Sequence, residues 1–445
     1  MQDSAIPDST RAPAEMAKAV RDLMPPEGLF SGQTWRTASG PFRLGPRMVR
    51  DLDALGRVLL QFYRSLNLLY RRSAEGREPG WIASVLDQGK PQELVSLQRS
   101  HTLKNQLPRV IRPDILLTDE GFSITELDSI PGGIGLTAWL NHAYSQLGCP
   151  VIGGPTGMVD GFKSIFGTAP QVHLVVSDEA AAYRPEMEWM AAQLGADRFH
   201  VRDGTFSSPA AGDAVYRFFE LFDLPNVPGA NTLFDLGKNQ QIVLTPPPKS
   251  FFEEKLMFAL LWNRNLKQYW RQELGEGFLT KLQQHVPRTW ILDPSPLPPQ
   301  AAYPGLDLTD WEQLKALSQK ERDLILKISG FSPKAWGARG VFLGSDLSQS
   351  DWAGAVDGAL RDFPQSPHIL PRYDKPALVE AEWFDFDTGQ PKTMKGRVRL
   401  CPYYFVSGEG DAARAKLGGV LATICPADKK IIHGMSDAIL APCSL

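Results

Sequence analysis

The sequence has little cysteine, no excess of charge of one sign and no long apolar run. Its four cysteines, Cys149, Cys401, Cys425 and Cys443, form neither a CxxC pair nor an array with zinc-ligand spacing. We therefore expect reduced thiols in a cytoplasmic protein. With 47 Lys and Arg residues against 50 Asp and Glu residues, the net charge of −3 provides no global field that would recruit nucleic acid or an anionic membrane.

The chain also lacks a run of about 18 apolar residues, and residues 1–7 contain neither a basic nor an apolar signal-peptide region. We therefore expect no membrane span and no secretion. Of the 445 residues, 43% are hydrophobic, 22% charged and 10% aromatic, which is typical of a folded soluble protein and not of a disordered one. This length predicts two or three modules.

The pattern of predicted helices and strands divides the sequence into four parts. Residues 1–40 are expected to form an N-terminal tail, and residues 41–170 to begin with a long amphipathic helix over about 45–72 and to contain a β-hairpin. Residues 171–245 alternate apolar strands with a helix and predict an α/β unit. After a proline linker, residues 246–445 predict a helix over about 251–274 and then an antiparallel sheet with helices on one face.

The strongest candidate site lies on the predicted hairpin, residues 111–128. Because strand residues two apart share a face, Arg112 and Asp114 project from one side of the first arm, and Glu126 and Asp128 from one side of the second. Three carboxylates so close repel unless a cation lies among them, and hard oxygen ligands suit Mg²⁺. Arg112 would then be free to stabilise a transferring phosphoryl group. A surface hairpin with an ordinary cross-strand ion pair would show the same spacing.

A second candidate is Lys327, which lies near the end of an apolar strand and precedes a glycine-containing loop over residues 329–341. A lysine in such a strand needs an anionic partner, and backbone N–H groups of a flexible loop can surround phosphates. The pattern suggests a nucleotide lid, although the Walker A and GxGxxG motifs are both absent. A simple turn between two strands is the alternative.

A third candidate is the glycine-rich segment 131–135, which precedes a helix expected over 136–147. It could hold a substrate carboxylate or phosphate at the helix N-terminus, or it could only allow a tight turn. Lys255, Arg397, Arg399 and His433 are weaker candidates. No Ser/His/Asp or Cys/His set can be singled out.

Together these motifs resemble those of circularly permuted ATP-grasp proteins, and most of all the synthetase domain of glutathionylspermidine synthetase. Arg112-Pro113-Asp114 resembles the family's Arg-x-Asp, which carries the catalytic arginine. Glu126-Leu127-Asp128 resembles its Glu-x-Asn, which supplies magnesium ligands, and residues 129–133 resemble the substrate loop that follows. The similarity extends from about Gly45 to the end of the sequence.

The nucleotide motifs of that family also have counterparts here. Lys255 and the helix after it resemble the segment with the first ATP lysine, and Lys327 with residues 336–341 resembles the second ATP lysine and the phosphate-covering loop. Residues 371–373 fall near the adenine-contacting hinge, and residues 399–405 resemble the closing part of the site. Asp128 stands where the family has Asn, and Pro371 where it has a hinge glutamine.

The resemblance implies an α/β (α+β) fold of the circularly permuted ATP-grasp type, with residues 171–245 as an accessory, pre-ATP-grasp-like domain. The implied activity is an ATP- and Mg²⁺-dependent ligase that joins a small-molecule or peptide carboxylate to an amine through an acyl phosphate. Because Asp128 and Pro371 depart from the family pattern, a nucleotide-binding regulatory or scaffold protein without ligase activity is an alternative. A small-molecule kinase, which would use the same residues, is another. The implied roles are catalysis by Arg112, nucleotide binding by Lys255, Lys327, Gly337, Ala338, Arg339, Gly340, Val341 and Arg399, magnesium binding by Asp114, Glu126 and Asp128, and substrate binding by Pro131, Gly132 and Gly133.

Overall fold

The computed structural model describes residues 12–30, 32, 34–335, 339–430, 432 and 436–445. Its α-helices are α1 (Pro13–Asp22), α2 (Pro46–Ala74), α3 (Trp81–Asp87), α4 (Gln92–Gln98), α5 (Ile134–Gln146), α6 (Gly157–Ser164), α7 (Arg184–Leu194), α8 (Ala230–Lys238), α9 (Leu256–Trp262), α10 (Lys267–His285), α11 (Trp311–Ala316) and α12 (Gln349–Asp362).

The strands of the described residues form three sheets. They are β1 (Arg36–Thr37), β2 (Phe42–Arg43), β3 (Val110–Thr118), β4 (Gly121–Asp128), β5 (Val172–Val176), β6 (Phe199–Arg202), β7 (Ala214–Phe218), β8 (Val243–Thr245), β9 (Thr289–Ile291), β10 (Ile325–Ile328), β11 (Val341–Leu343), β12 (His368–Pro371), β13 (Leu378–Asp385), β14 (Gln390–Ser407), β15 (Arg414–Pro426) and β16 (Ile439–Ser444). The architecture is therefore mixed α/β, as the sequence predicts.

The largest sheet has eight strands, with β1-β16-β15-β14-β3-β4 in order and with β13 paired to β14 and β2 to β16. The 18-residue β14 pairs antiparallel with β13, β15 and β3. It thereby joins the predicted hairpin to the C-terminal third of the chain. The hairpin itself is confirmed, because β3 and β4 pair antiparallel with Arg112 opposite Asp128 and Asp114 opposite Glu126.

Helix α2 confirms the long amphipathic helix expected over 45–72, and it packs against β15 and α10. Its three- and four-residue apolar spacing buries Leu52, Leu59 and Leu66 completely, each contributing about 1.5–3 kcal/mol. Gly56 permits close contact with the sheet, since a Cβ atom there would lie 2.5 Å from the ring of Tyr404.

The other two sheets have four strands each. The order β11-β10-β12-β9 is antiparallel, and a core containing Trp311 and Trp352 packs α11 and α12 against it. The order β6-β5-β7-β8 is parallel, and all four of its strands lie within residues 171–245, the α/β unit of the sequence analysis. Its strands β5 and β7 are buried throughout, as continuous apolar runs predict.

Two local predictions are wrong. Residues 13–22, expected within a tail, form α1, which buries Met16, Ala17 and Val20 and contacts β13 and β14. The helix expected over 251–274 is interrupted between α9 and α10, because the Asn263 side chain accepts the N–H of Asn265 and starts a new turn.

The four cysteines are all buried, and Cys401, Cys425 and Cys443 are free thiols. Among the helices of the described residues, none combines the length and the apolar character needed to cross a lipid bilayer.

Candidate ligand-binding site

A cavity of about 450 Å³ lies where the three sheets meet, with walls from the hairpin β3–β4, from β10, β11 and β14, and from the α/β unit. Charged side chains of both signs line it in equal number. The basic residues are Arg112, Lys255, Lys327, Arg339, Arg399 and Lys430, and the acidic residues are Asp114, Glu126, Asp128, Glu186, Glu220 and Glu253. Half of these residues form ion pairs with each other, so the unpaired groups indicate where a charged ligand would bind.

The hairpin contributes an arginine held between two carboxylates. Arg112 Nη2 lies 3.2 Å from Asp114 Oδ1 and donates a hydrogen bond of 3.0 Å to Asp128 Oδ2. On the neighbouring β14, Arg399 Nη1 lies 3.3 Å from Asp114 Oδ2. The Nε atoms of Arg112 and Arg399 are buried and have no hydrogen-bond partner among the described residues. Both guanidinium groups are therefore bound to carboxylates of the hairpin, and their Nε atoms are enclosed by the protein.

Burial and charge act in opposite directions on these groups. Burial would raise the pKa of Asp114, but Arg112 and Arg399 outweigh it and lower that pKa below its usual range. At Asp128 burial outweighs the attraction of Arg112 and raises the pKa. Burial also raises the pKa of the Cys401 thiol, which points at Asp114, to about 12. Cys401 is therefore a protonated donor and not a nucleophile at neutral pH.

The two lysines predicted to bind ATP both line the cavity, but they differ in their partners. Lys255, directly before α9, lies 2.7 Å from Glu126 Oε1 and donates to the carbonyl of Ala335 at 3.2 Å. Burial would lower its pKa, but Glu126 raises it. Lys327 on β10 is 9% exposed, and its ammonium group has no hydrogen bond or ion pair with any described residue. Burial lowers the pKa of Lys327.

The three predicted magnesium ligands line the same cavity without forming a metal-ligand cluster. Asp114 is bound by Arg112 and Arg399, Asp128 by Arg112, and Glu126 by Lys255. Within the described ranges no three His, Cys, Asp or Glu residues are grouped so that they could hold a metal ion. Carboxylate oxygens are suitable donors for Mg²⁺, but this arrangement directs them to cations of the chain itself. The magnesium site therefore stays a prediction.

The loop after β10 is anchored at its first residue. Ser329 donates a hydrogen bond through its hydroxyl to Glu254, and the backbone N–H of Leu256 donates to that hydroxyl at 2.9 Å. The N–H of Lys255 donates to the Ser329 carbonyl at 2.9 Å. Further along, Arg339 is 58% exposed and lies 3.9 Å from Glu179 of the α/β unit. The base of the loop is thus fixed, and Arg339 lies at the rim of the cavity.

The predicted anion site at the start of α5 is already filled by the chain itself. Glu186 of α7 accepts hydrogen bonds from the N–H groups of Gly133, Gly135 and Leu136 at 3.0–3.2 Å. Gly133 can begin the helix because it adopts a φ of 85°, which side chains with a Cβ atom disfavour. A substrate anion at this helix N-terminus would have to displace Glu186, so the expected free anion site is corrected. Burial raises the pKa of Glu186 to about 7 despite the three N–H groups.

A smaller cleft of about 20 Å³ adjoins the main cavity and shares Leu116, Thr125, Ile325, Lys327 and Tyr373 with it. Pro371 also lines this cleft, which places the predicted hinge segment 371–373 beside Lys327.

The structure brings most of the predicted site residues to one cavity. Arg112, Asp114, Glu126, Asp128, Gly132, Gly133, Lys255, Lys327, Arg339, Val341 and Arg399 line it. Pro131 and Gly340 do not line it, and Gly337, Ala338 and His433 lie outside the described residues.

Sequence reasoning missed several lining residues, including Tyr183, Glu186, Glu220, Glu253 and Lys430. A signal existed for Glu220, because it follows β7 at the carboxyl end of a parallel sheet, where ligands commonly bind. The sequence around Glu186 contains no comparable local signal, because this residue reaches the cavity only through the packing of α7 on α5.

Comparison with known proteins bears on the fold. No protein family model matches the sequence, and no curated protein matches it. A candidate gamma-glutamylcysteine synthetase from Methylobacillus flagellatus KT aligns at 11% identity over 86% of both chains, with a TM-score of only 0.38. A glutathione synthetase-like effector from Globodera pallida, solved in its apo form, aligns at 12% identity over 99% of both chains with a TM-score of 0.56. This chain therefore has the fold of that glutathione synthetase-like effector.

Proposed function

We propose that this protein is an ATP-dependent ligase that joins a carboxylate to an amine, with a circularly permuted ATP-grasp arrangement. The observation that carries the proposal is Lys327. Its buried ammonium group has no hydrogen bond or ion pair in the described part of the chain, and Lys327 lines the cavity together with Lys255, Arg112 and Arg399. A buried cation without a partner is costly, and a phosphate group would supply the missing anion.

In this proposal Lys255 and Lys327 bind the phosphates of ATP, and the hinge segment 371–373 lies near its adenine base. Residues 337–341 cover the phosphates, and Arg399 completes the nucleotide site. Arg112 stabilises the negative charge of the transferring phosphoryl group. ATP supplies that group, which activates the acid for attack by an amine.

The bonds of the reaction balance in two steps. A carboxylate oxygen forms a bond to the γ-phosphorus while the bond to the ADP oxygen breaks, which gives an acyl phosphate and ADP. The amine nitrogen then bonds to the acyl carbon, inorganic phosphate leaves, and the amine loses a proton. Because water would hydrolyse the acyl phosphate, the loop over residues 329–340 has to exclude water during both steps.

Magnesium binding by Asp114, Glu126 and Asp128 belongs to the proposal as a prediction from the sequence. Neither step of the proposed reaction depends on magnesium binding, because these carboxylates pair with Arg112, Arg399 and Lys255. We also propose that the substrate binds to residues 131–133, of which Gly132 and Gly133 line the cavity. The free thiols of Cys401, Cys425 and Cys443 fit a reducing compartment, and we place the protein in the cytoplasm.

The first experiment measures ATP binding by calorimetry in the wild type, in Lys327→Ala and in Lys320→Ala. Lys320 is exposed and outside the cavity, so its removal makes the same change of charge without touching the site. We expect Lys327→Ala to weaken ATP binding by about 10-fold to 100-fold, as for loss of a charged hydrogen bond. Equal affinity in all three proteins, or no affinity in the wild type, would overturn the nucleotide site.

A second experiment separates the ligase from the two alternatives. ADP release is measured with mixtures of carboxylic acids and amines, each acid also being tested without an amine. A ligase releases ADP and forms an amide only when acid and amine are both present. A kinase accumulates a stable phosphorylated product without an amine, and a regulatory nucleotide-binding protein binds ATP but releases no ADP with any mixture.

A further inference from the structure

The two lysines proposed to bind phosphates lie on separate segments of the chain. Lys327 is on β10, while Lys255 is the residue directly before α9. Burial lowers the pKa of Lys327, and the positive charge of Lys255 lowers it further. Because like charges repel, the spacing of the two ammonium groups has to be fixed by other parts of the chain.

Ser329 connects these two segments. It follows Lys327 by two residues and is completely buried. Its hydroxyl accepts the N–H of Leu256 at 2.9 Å and donates to the carboxylate of Glu254, and its carbonyl accepts the N–H of Lys255 at 2.9 Å. Ser329 thus bonds to Lys255 and to the residue on each side of it, so the end of β10 is held at a fixed position relative to the start of α9.

A close backbone contact and a buried ion pair support this cross-link. A Cβ atom on Gly330 would lie 2.5 Å from the carbonyl oxygen of Glu253, so only glycine allows the loop to approach so closely. Lys90 lies 2.7 Å from Glu254 Oε1, and both side chains are buried. Because an ionised carboxylate is a stronger acceptor than a neutral group, Glu254 orients the hydroxyl of Ser329.

The residues of the cross-link do not face the ligand. Ser329, Glu254 and Lys90 are not among the described residues that line the cavity, whereas Lys255 and Lys327 are. A buried polar network adds little net stability, because desolvation offsets much of the attraction between its charges. It does restrict the groups that it joins to one geometry, as binding sites require.

We propose that Ser329 is a positioning residue that sets the spacing of Lys255 and Lys327, so that both lysines contact one polyphosphate. This inference rests on the proposed nucleotide site and adds the residue that fixes its geometry. Ser329 acts only through the two lysines, and its effect therefore depends on the presence of both.

The test measures binding of ATP and of inorganic tripolyphosphate by calorimetry. The proteins are the full-length wild type, Ser329→Ala, Lys327→Ala and the double variant. Tripolyphosphate carries the phosphates without the base, so its binding reports on the lysine pair alone. The matched control is Ser73→Ala. Ser73 is buried, donates to the carbonyl of Pro79, accepts the N–H of Ala83 and lies outside the cavity, so its removal deletes a similar hydroxyl elsewhere.

We expect Ser329→Ala to weaken binding of both ligands by about 3-fold to 30-fold, because the two lysines no longer contact the same polyphosphate in one geometry. In the Lys327→Ala background the same substitution should change the affinity by less than about 2-fold, since no pair is left to position. Ser73→Ala should bind as the wild type does. If Ser329→Ala does not fold, Ser329→Cys takes its place, because a thiol fills the same space but is a weak donor and acceptor.

Two results would overturn the positioning role. One is equal affinity of Ser329→Ala and the wild type. The other is an equal loss of affinity in the wild-type and Lys327→Ala backgrounds, which is the result expected if Ser329 only stabilises the fold.

The failure of this inference and the failure of the proposed function give different results. If ATP binding depends on Lys327 but not on Ser329, the nucleotide site stands and the positioning role does not. If tripolyphosphate binding depends on both residues in the coupled way, but no acid and amine mixture gives ADP release, the positioning role stands and the ligase does not. If neither ligand binds to the wild type, both are overturned.

Discussion

Lys90 and Glu254 form an enclosed ion pair beneath the loop that follows β10. The Nζ atom lies 2.7 Å from Oε1, and the two side chains are 0% and 1% exposed. Glu254 also accepts the hydroxyl of Ser329, and Lys90 lies 5.5 Å from the ring centre of Phe331. The pair therefore ties the base of this loop to the segment before Lys255.

Replacing Lys90 by Met should destabilise the protein by about 3–5 kcal/mol, because the buried Glu254 carboxylate loses its counter-ion. The matched control is Arg47→Ala, which breaks an exposed pair with Asp51 and should change stability by less than about 0.5 kcal/mol. Denaturant unfolding measures both values. A loss for Lys90→Met as small as that of the control would contradict the importance of this pair.

Gly135 in α5 is in contact with α7, since a Cβ atom there would lie 2.6 Å from the backbone carbonyl oxygen of Glu186. Gly135→Ala should therefore force the helices apart and destabilise the protein by about 1–3 kcal/mol. Gly354 in α12 has open space around its Cβ position, and Gly354→Ala should stabilise by about 0.5–1 kcal/mol. If unfolding midpoints shift in the same direction for both variants, the close packing of α5 on α7 is wrong.

Glu186 should make stability depend on pH. Its folded pKa of about 7 lies above the ordinary value of 4.5, so the folded state binds its proton more tightly than the unfolded chain does. The contribution is complete below about pH 4.5 and is lost as the pH rises through about 7, to an extent of about 3 kcal/mol. Glu186→Gln should remove this pH-dependent term, and Glu188→Gln should keep it. The free energy of unfolding is measured for each protein over this pH range. Identical profiles for Glu186→Gln and the wild type would refute the assignment of this pKa to Glu186.

Replacing Glu126 tests whether its side chain binds magnesium or only pairs with Lys255. If it binds magnesium, Glu126→Gln should abolish the dependence of ATP affinity on Mg²⁺, which is worth about 10-fold or more. Glu120→Gln, on the exposed turn of the same hairpin, should leave that dependence intact. Calorimetric titrations with and without Mg²⁺ give the answer. A dependence that survives in Glu126→Gln would limit Glu126 to holding Lys255.

The parts of the site that the sequence could predict are those with local patterns. Alternation along two adjacent strands places Arg112 opposite Asp128, and an apolar run around Lys327 marks β10. Glu186 was missed because it enters the cavity from α7, through packing on α5 that no short segment encodes. The paired state of the carboxylates was equally hidden, since the partners Asp114 and Arg399 are 285 residues apart.

The same distance has a consequence for the way the protein is made. The hairpin strand β3 can pair with β14 only after the ribosome has added about 285 more residues. Strands β1 and β2 can pair with β16 only after a still longer stretch of chain has been made. At about 5–20 residues per second, the edge of β3 stays unpaired for about 15–60 seconds. Newly synthesised chains therefore expose an unpaired strand edge for most of their translation, and such edges favour association with other chains.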